Sequence, residues 1–211
     1  MKKLVFRLTI AVLAFVLGIG AVALLILNRS LPVIEVQKAK ECASESNEKI
    51  TSRRSALSTE LLDTFAEPPL DKTNPAVDES YRLTWFPTFD PPTVIRISRS
   101  GDRFSVITKR LSGLGGYKLG KLKHEHTRPL SGAAWKEFTQ LVDNRCFWNA
   151  DSVVDESPVV DGAAWILEAS KDGRYHFVHR ISPSDQMADI FRNLLDLADN
   201  RIEYEDYLPQ H

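Results

Sequence analysis

Cysteine and methionine are scarce in this chain, two of each in 211 residues. Two cysteines are too few for a disulfide-stapled miniprotein and for paired-cysteine zinc sites. Charge of one sign is scarce as well. The 27 Lys and Arg stand against 28 Asp and Glu, and no basic tract occurs, so the footprint of a nucleic-acid-binding protein is missing. The familiar catalytic patterns are also missing, with no Gly-x-Ser-x-Gly elbow and no dinucleotide fingerprint. Nothing in the sequence calls for a cofactor, a catalytic residue or a bound metal.

What the chain does have is one long apolar run. Lys2, Lys3 and Arg7 precede residues 8–27, which carry no charge and only Thr9 as a polar residue apart from glycine. As a helix this run would rise about 30 Å, the thickness of a bilayer's hydrocarbon core. A cleavable signal peptide is the alternative, with Ala21-Val22-Ala23 as the small-residue pattern. Cutting there would leave Leu24-Leu25-Ile26-Leu27 at the new terminus, and the run exceeds a usual signal core, so a retained transmembrane anchor is the favoured reading. Positive charge concentrates before the run, which places the N-terminus in the cytoplasm and the remainder outside. The Met-Lys-Lys start resembles bacterial export signals, so the expected location is the bacterial inner membrane, single-pass, with a periplasmic C-terminal domain.

Residues 1–28 thus read as anchor. Residues 29–66 read as a charged helical stalk, in which Val36, Ala43, Ile50 and Leu57 recur every seven residues but Lys40, Asn47 and Arg54 spoil the companion seam. Leu57, Leu61, Leu62 and Phe65 form a better stripe, able to dock on the domain C-terminal to it. Residues 67–80, opened by Glu67-Pro68-Pro69, read as linker, residues 81–201 as the globular domain and residues 202–211 as a tail. Cys42 and Cys146 fit one disulfide in an oxidising compartment, or two unpaired thiols.

Residues 81–86 alternate and end at Pro87, a strand pattern. Residues 93–98 and 103–108 flank Ser100-Gly101 and predict a hairpin with Ile95 opposite Val106 and Ile97 opposite Phe104. A glycine cluster, Gly113-Leu114-Gly115-Gly116, leads to a further strand within residues 118–128. Ser131 caps an expected helix with Trp135, Phe138, Leu141 and Val142 on one face. After the acidic stretch 151–162, residues 163–170 and 174–181 predict a second hairpin around Lys171-Asp172-Gly173. Ser182 or Ser184 then opens a last helix. The expected fold is α+β, an antiparallel sheet of about five strands with two helices on one face.

Residues 81–198 resemble a group of small exported or membrane-anchored bacterial proteins of uncharacterised function. The likeness rests on Tyr81-Arg82-Leu83-Thr84-Trp85, Gly115-Gly116-Tyr117 with Gly120, Asp161-Gly162-Ala163 with Trp165, Leu167-Glu168, Gly173, Tyr175-His176, and Arg180 with Ser182-Pro183. It implies a domain boundary and no activity.

The second hairpin carries the candidate ligand-binding residues Glu168, His176 and Arg180. A three-residue loop puts Glu168 opposite His176 and Ala164 opposite Arg180, so a carboxylate could orient an imidazole as a base or join a clamp for an anion. A two-residue loop would part Glu168 from His176. His124 and His126 share a strand face, but two ligands do not close a metal site. The glycine cluster precedes a strand rather than a helix, which favours a turn over a phosphate loop. Asp151, Asp155, Glu156 and Asp161 lack the twelve-residue calcium pattern. The expectation is therefore an anchored extracytoplasmic interaction domain with an envelope protein as partner. A small-ligand sensing module and a hydrolase with an unrecognised site are the alternatives.

Overall fold

The computed structural model describes Cys42, residues 56–72, Asn74, residues 76–153 and residues 162–198. The apolar run 8–27, most of the expected stalk, most of the acidic stretch and the tail lie outside the described residues. Among the described residues no helix is long and apolar enough to cross a membrane.

The described chain forms six strands and three α-helices. In order these are α1 (Thr59–Phe65), β1 (Glu79–Pro87), β2 (Thr93–Ser100), β3 (Arg103–Leu111), β4 (Leu122–Pro129), α2 (Gly132–Asn144), β5 (Ala163–Lys171), β6 (Arg174–Ile181) and α3 (Met187–Leu197). The class is α+β, as expected, with six strands rather than about five. Strand order is β4-β3-β2-β1-β5-β6, and every neighbouring pair is antiparallel. The first four strands form a meander. The chain then crosses by way of α2 and returns β5 to the open side of β1, which is why β1 is central.

One sheet face is the main core. Tyr81, Leu83 and Trp85 from β1, Ile95 and Ile97 from β2, and Trp165 and Leu167 from β5 pack against α2 and α3. Ser131 caps α2 by accepting from the Ala134 amide at 3.1 Å, and Trp135, Phe138 and Val142 are its buried residues. The opposite face is not left to solvent. Phe65 packs with Val94 and Leu111, flanked by Leu61, Phe86, Leu119 and Leu122, while Leu57 and Leu62 are also buried. The segment from residue 56 onward is therefore part of this packing, and its apolar stripe is the reason.

Three local expectations are corrected. The first hairpin turns on Gly101-Asp102, with Ser100 opposite Arg103, Ile97 opposite Val106 and Arg99 opposite Phe104. The slip from the expected register is two residues, so every side chain kept its face. The second hairpin turns on Asp172-Gly173 alone, both left-handed at φ 50° and 74°, with Lys171 opposite Arg174. Asp-Gly is the favoured pair for a turn that needs positive φ twice. The slip here is one residue, and it exchanges the faces. Lastly, α3 does not start at Ser182 or Ser184: Gln186 is its cap position, and Asp185 Oδ1 accepts from the Met187 amide at 3.1 Å.

Candidate functional site

The strand register sends Arg82, Arg96, Lys109 and Glu168 to the sheet face beneath α1. The turn after α1 supplies a fifth charge. Ala66 is left-handed at φ 52° and the Glu67 amide reaches back to the Leu62 carbonyl at 2.8 Å, a closure that points Glu67 down onto the sheet. Arg82 and Glu168 are 0% exposed, and Glu67 and Lys109 are buried.

These charges are closely paired. Arg82 donates from Nε and Nη2 to Glu168 Oε2 at 2.9 and 2.6 Å, and its Nη1 donates to the Pro68 carbonyl. Tyr175 donates its hydroxyl to Glu168 Oε1 at 2.7 Å and accepts from the Ala56 amide at 2.9 Å. Glu67 Oε2 receives Arg96 Nε at 2.8 Å, and its Oε1 lies 2.9 Å from Lys109 Nζ. Lys109 also donates to the Ala66 carbonyl. Burial pushes the Glu67 carboxyl up, but Arg96, Lys109 and Arg82 outweigh that and hold its pKa below the ordinary value. Three cations thus meet two carboxylates in a water-poor layer. The arrangement clamps the 56–72 segment onto the sheet.

The structure does not bring the three expected ligand-binding residues together. Glu168 belongs to the clamp, and it faces Phe177 across the strands rather than His176. His176 is opposite Ala169, on the core side, with its ring 5.0 Å from Phe147 and 6.4 Å from Trp148. Arg174 extends this cluster, its guanidinium 4.9 Å from the Trp148 ring. Arg180 is opposite Trp165 and nearly fully buried. It donates to Asp185 Oδ2 at 2.8 Å and to the Asp151 and His179 carbonyls, pinning the turn that enters α3. The expected cross-strand pair of Glu168 with His176 does not form, because the turn holds two residues and not three.

Other titratable groups serve packing. Burial raises the Tyr81 phenol, and its 2.6 Å hydrogen bond to Glu79 raises it further. Burial and neighbouring Arg180 lower the His179 pKa. His124 and His126 are exposed on β4, which among the described residues pairs only with β3. Among the described residues no group of three or more His, Cys, Asp or Glu is placed to hold a metal ion. Both cysteines of the chain are disulfide-bonded.

Sequence reasoning missed Arg82, Arg96, Lys109, Glu67 and Tyr175. The available signal was the apolar stripe Leu57, Leu61, Leu62 and Phe65, which implied that something covers the second face. Charges on that face then had to be paired with one another.

Two recesses adjoin the clamp. A small cleft of about 30 Å³ includes Pro68, Leu70, Ser80 and Arg96 in its lining. A more open groove of about 750 Å³ includes Arg96, Arg103, Arg128, Ser98 and Phe104. Searches of family models, characterised proteins and solved structures gave no match to this chain.

Proposed function

We propose that this protein is a membrane-tethered interaction domain displayed outside the cytoplasm, with residues 8–27 in the bilayer and the six-stranded unit as the binding part. The observation that carries the reading is the oxidised state of both cysteines, since disulfides persist in oxidising compartments such as the bacterial periplasm. It joins a run of bilayer length and a basic N-terminus, which by the positive-inside rule favours the cytoplasm for the N-terminus and the far side for the rest. The partner is an envelope component, and the role is binding.

A small anionic ligand is a second reading, favoured by Arg96, Arg103 and Arg128 around the open groove. The test of the first reading is alkaline extraction of bacterial membranes carrying the full chain, followed by protease treatment of spheroplasts. The domain should pellet with membranes and be digested from outside. Release by alkali, or protection until lysis, counts against it.

A further inference from the structure

The end of the sheet where β1 passes to β2 carries an unusual surface. Phe89, Leu114 and Tyr117 are 51%, 39% and 68% exposed there, on two neighbouring loops. Scattered exposed apolar residues are ordinary, but here they are gathered by a built scaffold. Gly116 donates its amide to the Thr88 carbonyl and Gly115 donates to the Asp90 carbonyl, both at 3.1 Å, so Phe89 sits between two rungs joining the loops. A Cβ on Gly115 would stand 2.3 Å from the Pro87 carbonyl oxygen, so only glycine permits this approach. The aromatic tips are held in place before anything meets them.

Charge beside them is mainly positive, with Asp90 as the carboxylate next to Phe89. Lys118 and Lys121 follow Tyr117 in the same loop, and Lys123 stands on β4, all three exposed. The next carboxylate along β4, Glu125, faces Lys109 at 3.9 Å. An aromatic tip with a basic collar matches a bilayer interface, where rings settle at headgroup depth and cations meet anionic phosphate. A protein partner of matching acidity would satisfy the lysines, but a chain with its own bilayer-length run has a lipid surface to hand.

We infer that the loop pair formed by residues 88–91 and 112–121 docks on the anionic phospholipid surface of a membrane, with Phe89, Leu114 and Tyr117 entering the interface. This rests on the tethered reading above and adds an orientation to it.

The test uses the full chain reconstituted into vesicles of phosphatidylcholine, with and without phosphatidylglycerol. Flotation reports insertion through the N-terminal run, and amide exchange reports the loops separately. Exchange in residues 112–121 should slow by at least about five-fold on the anionic vesicles, the factor expected from a single basic residue at such a surface. The Gly101 turn at the other end of the sheet should not change. The exposed double variant Phe89→Ser, Tyr117→Ser should float as before and lose the slowing, as should Lys118→Glu with Lys121→Glu. Flotation with loop exchange equal on both vesicles overturns the docking and leaves the tether intact. Failure to float overturns the tether, and the loops are then read on the same protein added to the vesicle surface.

Discussion

Arg82 and Glu168, 86 positions apart, form a two-donor contact in which guanidinium Nε and Nη2 both reach one carboxylate oxygen, at 2.9 and 2.6 Å. Both side chains are fully buried, and Tyr175 holds the carboxylate's second oxygen. Breaking such a pair strands a charge. Glu168→Gln should cost about 3–5 kcal/mol in urea denaturation, while Arg82→Met combined with Glu168→Leu should recover most of that loss. A single variant within about 1 kcal/mol of the parent would show that the pair is solvated after all.

The pH dependence of stability should show two windows. Glu67 is held below its ordinary 4.5, so its contribution is complete above pH 4.5 and is lost as pH falls through the lower folded value. His179 is held below its ordinary 6.5, so the unfolded chain takes up a proton first. Its effect is absent above pH 6.5, and stability declines as pH falls towards the folded pKa. Urea midpoints across pH should lose the upper step in His179→Asn and the lower step in Glu67→Gln. Unaltered profiles would separate these groups from the linkage.

The sequence laid open one side of this fold and hid the other. The α2 stripe and the two hairpins were legible because period 3.6 and period 2 report which side chains are buried. Even the misplaced first turn left every face intact, since its slip was even. The second turn decided the candidate site. Asp172 taking positive φ as well as Gly173 moved the register by one and parted Glu168 from His176. The clamp was illegible for another reason. Arg82, Arg96, Lys109 and Glu168 read as a solvated face until α1 is known to lie upon it, and that contact is between segments far apart in the chain.

Gly115 should tolerate no side chain. Gly115→Ala sets a Cβ 2.3 Å from the Pro87 oxygen, so the two loops must separate, at a cost of about 1–3 kcal/mol. Proteolysis should then open near residues 112–121 before the sheet does. Parent-like stability and digestion would show that the loops shift freely.

Reduction should loosen the domain as well as free two thiols. Natural disulfides of small secreted domains contribute about 2–5 kcal/mol. Cys42→Ser with Cys146→Ser should lower the urea midpoint accordingly. No change would show that the fold's stability does not depend on the cysteines.

A domain displayed outside the cytoplasm, as proposed, should hold both of its cysteines as disulfide. Thiol labelling in spheroplasts tests it most directly. With the full chain in the membrane, a membrane-impermeant maleimide should add nothing before reduction. After treatment with an impermeant reductant, it should add two groups per chain. Labelling without reductant, or labelling that appears only after lysis, would contradict the claim.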